Sequence, residues 1–208
     1  KSCFTLEVLM KQFRIIILIF FVVCIFPPVN NACASSVQDE LKVTLDQILK
    51  ILQDKSLKGE DATEKRRTSL RKLIHDKFSF DKMSQLSLAK HWKARSDEEK
   101  KTFIDLFGQL LEQTYISKIE SYSNEKVIFL KEYVTDKKAQ VDTKVITETI
   151  EIPIDYRLYQ TNNGSWMVYD VIIEGVSLVG NYRSQFDQIL QKQSFEKLIE
   201  DLKKKIET

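Results

Sequence analysis

Residues 150–175 of the chain read IEIPIDYRLYQTNNGSWMVYDVIIEG, and this stretch decides the fold. Apolar and polar side chains alternate from Ile150 to Leu158, which is typical of a β-strand with one buried face. The NNG at 162–164 follows, and it predicts a tight hairpin turn because Asn and Gly tolerate positive φ. The stretch is therefore expected to form two antiparallel strands.

The second strand of this hairpin is apolar on both faces. Simple alternation places Trp166, Val168 and Ile172 on one face, with Val171 and Ile173 on the other. The strand is therefore expected to be covered on both sides or to line a cavity.

The same period of two extends toward the N-terminus. The runs 126–134 and 139–147 also predict strands, so the whole sheet is expected to be an antiparallel meander of about four strands. Pro153 in the third strand suggests an edge position or a bulge, because proline cannot donate a ladder hydrogen bond.

Helical spacing flanks the sheet on both sides. Apolar residues three and four apart predict four helices before the sheet and two after it. Ser96 and Glu99 form a capping box at the start of the longest helix, while Asp81 and Ser194 are the expected caps of the third and last helices. This order predicts one α+β domain, a curved antiparallel sheet packed with a helical part.

The first 34 residues read as a secretory leader. Lys11 and Arg14 precede an unbroken apolar run at 15–26, and Ala32-Cys33-Ala34 has the small-residue pattern of a cleavage site. We expect cleavage after Ala34, which makes 1–34 a signal peptide and 35–208 a single exported domain. Met10 is an alternative start. An uncleaved anchor is the other interpretation, although the apolar run is shorter than the about 20 residues of a spanning helix.

Composition limits the class of protein further. The net charge of +2 argues against nucleic-acid binding, and 43% hydrophobic residues argue against disorder. Cys3, Cys24 and Cys33 all lie within the leader, so the exported domain is expected to fold around a hydrophobic core without disulfides.

Enzyme motifs are absent from the sequence. It contains no G-x-S-x-G, phosphate-binding loop or H-E-x-x-H. His75 and His91 have no carboxylates at ligand spacing, so we expect no metal and no cofactor. Asp170 lies in mid-strand and is expected either to pair with Arg157 or Arg183 or to be catalytic.

Aromatic residues concentrate between Phe103 and Phe186. They predict either a solid aromatic core or an apolar pocket between the long helix and the sheet. A filled core would suit a non-catalytic adaptor protein, and a polar pocket floor would suit an enzyme that uses Asp170 with Tyr156 or His91.

The run WMVYDVIIEGVSLVGNYRSQF at 166–186 resembles the signature of the MlaC family of periplasmic phospholipid carriers, also called toluene-tolerance auxiliary proteins. IDYRL at 154–158, KHW at 90–92 and SDEEK at 96–100 fit the same family, and the likeness covers most of 70–202. Gly180 before Asn181 is a small departure.

The resemblance implies an NTF2-like curved sheet with an added helical part, enclosing an apolar cavity. It implies a glycerophospholipid as cargo, no cofactor and no enzymatic activity. It also implies a periplasmic protein of a Gram-negative bacterium, with an inner-membrane ABC transporter complex and an outer-membrane lipoprotein–porin complex as partners. Membrane contact would be transient and made through these partners, and nucleic acid is not expected as a partner.

Face alternation then selects the residues expected to hold the lipid tails. They are Phe107, Leu111, Tyr115, Val145, Ile154, Tyr156, Trp166, Val168, Ile172, Val176, Leu178, Val179, Tyr182 and Phe186. Arg183 is expected either to meet a phosphate near the pocket mouth or to form an ion pair with Asp170.

Overall fold

The computed structural model describes residues 36–57, 59–121 and 125–207, in which six α-helices accompany one sheet. The predicted leader, residues 1–34, lies outside the described residues. The helices are α1 (Val37–Gln53), α2 (Thr63–Lys77), α3 (Phe80–Leu88), α4 (Asp97–Ser121), α5 (Leu178–Leu190) and α6 (Phe195–Ile206). The strands are β1 (Lys126–Thr135), β2 (Lys138–Ile146), β3 (Glu151–Gln160), β4 (Trp166–Ile173) and β5 (Val176–Ser177).

The sheet is an antiparallel meander in the spatial order β1-β2-β3-β4-β5. The predicted α+β class is therefore confirmed, and the two-residue β5 adds a fifth strand where helical spacing had been expected. Among the described residues, no helix combines the length and the apolar character needed to cross a bilayer.

Several helix ends and turns lie where local sequence signals predict them. Glu99 N–H donates to Ser96 Oγ at 3.1 Å, and Ser96 N–H donates to the Glu99 carboxylate at 2.7 Å, which completes the capping box of α4. Gly164 has a φ of 91° in the β3–β4 turn. Ser194 caps α6 by accepting from Lys197 N–H.

Two local expectations were wrong. The N-cap of α3 is Ser79, not Asp81, because Ser79 Oγ accepts the N–H of Lys82. Pro153 lies in an interior strand that is regular at that point. It is tolerated as the third residue of β3, next to the place where β4 ends, so its missing N–H costs little of the ladder.

A β-bulge changes which residues of β4 share a face. Arg157 pairs with Asp170 and Leu158 pairs with Val168, so Tyr169 is an extra residue in β4. Val171 and Ile173 consequently join Trp166 and Val168 on one face, whereas Asp170 and Ile172 lie on the other. Simple alternation had grouped Ile172 and Asp170 with Trp166, and that grouping is wrong because a one-residue insertion reverses the face of everything that follows.

We call the face of the sheet covered by α1 the inner face. Val37 and Leu41 of α1 are buried against Val141, Leu158 and their neighbours. Polar contacts fix the same end of the helix. The carboxylate of Glu40 accepts from Lys77 Nζ at 3.1 Å and from the backbone N–H of Trp166 at 3.3 Å.

A second core joins α3, α4, α5 and α6 beside the sheet. Phe103 and Phe107 of α4 are fully buried, and the rings of Tyr182 and Phe186 lie 5.0 and 5.5 Å from that of Phe107. Edge-to-face contacts of this kind add to the gain from burial. The N-terminal half of α4 is thus packed solidly.

Helix α2 is held against α4 by the buried pair of Leu70 and Ile116 and by ion pairs. The carboxylate of Glu120 accepts from Arg66 Nε at 3.0 Å and from Arg67 Nη2 at 3.1 Å. Arg71, one turn later on α2, pairs with Glu112, two turns earlier on α4. Burial alone would raise the pKa of Glu120, but the hydrogen bonds and charges of Arg67 and Arg66 outweigh burial and lower it.

We expect Glu120→Gln to lower the free energy of unfolding by about 1–3 kcal/mol, because it leaves two partly buried guanidinium groups without their counter-charge. The wild-type contribution should be complete above the ordinary glutamate pKa of 4.5 and should fade as the pH falls through the lowered pKa of the folded state. Urea unfolding of both proteins between pH 7 and pH 3 measures this difference.

Glu200→Gln is the matched control, because Glu200 forms only exposed pairs on α6. It should leave the urea midpoint unchanged. Equal effects of the two substitutions would contradict the structural role of Glu120.

Candidate functional site

A cavity of about 370 Å³, partly open to solvent, lies between helices α1, α2 and α4 and the inner face of the sheet. This volume is within the range of about 300–1,000 Å³ that is typical of ligand pockets. The helices contribute Leu45, Ile48, Leu49, Leu52, Arg71, Ile74, His75, Phe80, Met83, Leu111, Glu112, Tyr115, Ile116, Lys118, Ile119 and Leu178. The loops and strands contribute Phe78, Glu125, Val127, Val145, Ile152, Ile154, Tyr156, Val171, Ile173 and Glu174.

The cavity begins where α1 stops covering the sheet. The first turns of α1 pack on the inner face through Val37 and Leu41, whereas Ile48 and Leu52 three turns later face the open space. The apolar stripe of α1 therefore packs against the sheet in its first turns and lines the cavity in its last turns.

The strand residues of the cavity lie near one end of the sheet. Val145 is near the end of β2, Ile152 and Ile154 are near the start of β3, and Ile173 ends β4. These ends are adjacent in an antiparallel meander, so the four side chains form a continuous apolar floor.

Charged residues belong to the cavity's more exposed parts. Arg71 pairs with Glu112, and its second carboxylate neighbour, Glu64, lies at 3.8 Å. Lys118 is exposed at the end of α4, with Nζ 5.5 Å from the centre of the Tyr115 ring. The interior is therefore apolar and the charges lie toward water.

Two phenols lie in apolar surroundings, Tyr115 in the cavity and Tyr182 in the neighbouring helical core. Burial raises the pKa of Tyr115, with a smaller contribution from nearby Tyr182. Burial also raises the pKa of Tyr182, opposed by its hydrogen bond with Thr114.

Six of the fourteen residues selected from the sequence line this cavity. They are Leu111, Tyr115, Val145, Ile154, Tyr156 and Leu178. The structure brings them together from α4, β2, β3 and the start of α5.

The other eight lie elsewhere. Phe107, Val179, Tyr182 and Phe186 belong to the solid helical core, and Trp166 and Val168 are covered by α1. Ile172 lies on the opposite face of the sheet because of the bulge, and Val176 is 61% exposed beside the β4–β5 turn. Helical and strand periodicity marked these side chains as buried but did not distinguish packed positions from cavity positions.

Sequence reasoning missed the contribution of the first two helices. Leu45, Ile48, Leu49 and Leu52 of α1 form a wall of the cavity, together with Ile74 of α2. The α1 stripe is visible in the sequence as residues three and four apart, but that spacing is the same whether the stripe meets a packed core or an open space.

Asp170 is a buried structural carboxylate. Its oxygens accept from Ser177 Oγ at 2.7 Å, from the backbone N–H of Val179 at 3.0 Å and from Arg157 at 3.2 Å. The ion pair with Arg157 is one of the two expected alternatives. Arg183 does not pair with Asp170, because its Nε donates instead to the carbonyl of Leu86.

The proposed enzymatic groups are not brought together. Asp170 is on the outer face of the sheet, whereas Tyr156 lines the cavity on the inner face. His91 hydrogen-bonds Asp187 at 2.8 Å, and hydrogen bonds from Lys90 and His91 lower the pKa of Asp187 to about 2. In the part of the chain that is described, no group of three or more His, Cys, Asp or Glu side chains could hold a metal ion.

Asp170→Asn should lower the free energy of unfolding by about 2–4 kcal/mol. Asparagine has one accepting oxygen where the carboxylate of Asp170 has two. The substitution also removes the counter-charge of Arg157 at a residue that is only 3% exposed. Thermal and urea unfolding measure the loss. Asp201→Asn is the control, because the Asp201 side chain is 42% exposed and pairs with Lys197 on the same helix. A loss as small as in this control would contradict the structural role of Asp170.

Comparisons with known proteins agree with this fold. Residues 42–204 match the family model described as MlaC protein. The chain is 31% identical over 117 residues to the intermembrane phospholipid transport system binding protein MlaC of Haemophilus influenzae, a match that covers 54% of this chain. That match spans about half of the relative's length, 55%.

A solved structure shares the architecture at lower sequence identity. It is a phospholipid-binding protein from Ralstonia solanacearum in complex with a phospholipid, with a TM-score of 0.75 and 24% identity. The match covers 83% of this chain and 97% of that one. Because the family model extends over most of the described residues, from α1 to α6, the chain belongs to the MlaC protein family.

Proposed function

We propose that this protein binds a glycerophospholipid and carries it through the periplasm. The observation that carries the proposal is the apolar cavity of about 370 Å³ between α1, α2, α4 and the inner face of the sheet. The names of the relatives support it, since one is a phospholipid transport system binding protein and the other is in complex with a phospholipid.

A carrier is needed because exposing lipid tails to water is costly in free energy. A lipid with two chains has about 30 methylenes, and exposing them at about 0.8 kcal/mol each costs on the order of 25 kcal/mol. A cavity as apolar as the bilayer nearly cancels this cost. Exchange between carrier and membrane partner is then close to isoenergetic, so the direction of transport is set by the partners.

The distribution of charge suits an amphiphile with its tails inward. The floor formed by Val145, Ile152, Ile154 and Ile173 has no charged group, whereas Arg71, Glu112 and Lys118 lie toward solvent. The tails would occupy the floor, and the phosphate would remain among water and the charged groups.

The finer proposal concerns the route. A leader at 1–34 would export the domain, and the carrier would exchange lipid with an inner-membrane ABC transporter complex and an outer-membrane lipoprotein–porin complex. The resemblance at 166–186 and the family membership support this route. A non-catalytic role follows from the same proposal, with the phospholipid as cargo.

The proposal predicts that phospholipid copurifies with the protein and is lost in Ile154→Glu. A carboxylate on the cavity floor would have to be desolvated beside a lipid tail, which is unfavourable by several kcal/mol. Native mass spectrometry and thin-layer chromatography of extracted lipid measure the lipid bound per protein. We expect at least a tenfold reduction.

Ile128→Glu is the matched control, because Ile128 is 46% exposed on the outer face of β1 and lies outside the cavity. It should retain wild-type lipid content. A wild-type protein that binds no phospholipid from vesicles, or equal lipid in both folded variants, would overturn the proposal.

A further inference from the structure

A second hollow adjoins the cavity on the other side of Phe80. It is a groove of about 660 Å³, open to solvent and lined by residues of α3, α4 and the β3–β4 hairpin. Its lining is mixed, with apolar Ile104 and Met167 beside polar Asp105, Gln109 and Thr161, and with Gly108 on α4. Four residues line both spaces, namely His75, Phe78, Phe80 and Glu112. These four residues therefore stand between the cavity and the groove.

Phe80 is the central part of this partition. Its ring lies 4.6 Å from that of His75, at an angle of 30°. On the groove side it meets Gly108, where a Cβ would lie 3.5 Å from Phe80 Cδ1. Since Gly108 has no side chain, nothing on that part of α4 would replace the ring as a wall.

The backbone at Phe80 is fixed from several directions. The N–H of the preceding residue, Ser79, donates to the carbonyl of Val168 at 2.8 Å, and Ser79 Oγ accepts from Tyr159 Oη at 3.1 Å. Ser79 also caps α3, which begins at Phe80. The strand and the helix cap together fix the backbone from which the Phe80 ring extends.

We propose that Phe80 determines the length of acyl chain that the cavity accepts. This inference rests on the proposed function, because it assigns a limit to the same lipid site. Each methylene that enters the cavity strengthens binding about fourfold. Methylenes beyond the Phe80–His75 wall gain nothing, because they stay in water.

The test is a series of lysophosphatidylcholines with acyl chains of increasing length, each used below its micelle concentration. The dissociation constant of the wild-type protein, measured by isothermal titration calorimetry, should fall about fourfold per methylene and then reach a plateau. In Phe80→Ala the plateau should begin at least two methylenes later, so the longest chains should bind more than tenfold tighter than to wild type.

Two further variants make the test specific. Phe129→Ala removes a partly buried ring that lines neither space, and it should leave the plateau at its wild-type chain length. In Phe80→Ala/Gly108→Leu, the new leucine side chain extends from α4 toward the position that the Phe80 ring has vacated. This double variant should return the plateau to its wild-type chain length.

The outcomes separate the two proposals. If no acyl length binds the wild-type protein, the proposed function fails. If chains bind but the plateau is the same in wild type and Phe80→Ala, only the role of Phe80 is overturned. Phe80→Leu retains most of the apolar bulk and should give an intermediate plateau, so it decides the question even if the alanine variant does not fold.

Discussion

The attachment of α1 to one end of the sheet is the constraint on which the rest of the structure depends. Val37 and Leu41 are buried on the inner face, and Glu40 ties the helix to Lys77 and to the start of β4. Because the helix is fixed there, its later turns extend over the remaining sheet. Helices α2 and α4 close the sides of that space, and the 370 Å³ cavity is what their side chains leave unfilled.

Close packing in the helical core offsets the dispersion contacts that are lost around the cavity. Interiors are normally packed as densely as organic crystals, and side chains that face a void lose dispersion contacts. Here the aromatic core of α3–α6, with Phe103 and Phe107 fully buried, supplies close packing beside the cavity. A bound tail would restore the missing contacts, so cargo would stabilise the folded state by mass action.

Local sequence signals predicted the elements well, because their physics is local. The Ser96–Glu99 box and the turn at Gly164 each depend on neighbours within a few residues. Faces were predicted less well. Tyr169 is inserted as a bulge, and no local signal indicates that β4 changes face at that residue, since the register is set by pairing with β3. The place of Pro153 was likewise decided by neighbours in space, because its tolerance depends on where β4 ends.

The sequence by itself determined the α+β class, the meander, the helix order and the family resemblance. Periodicity and turn chemistry depend on residues close together in the chain, so they are the same however the elements are arranged in space. Only the tertiary structure decided that Leu111 lines a cavity while Phe107, one helical turn earlier, is packed among aromatic rings. Hydrophobic spacing predicts that a side chain is buried. Whether it packs against other side chains or faces a cavity depends on where distant elements are anchored.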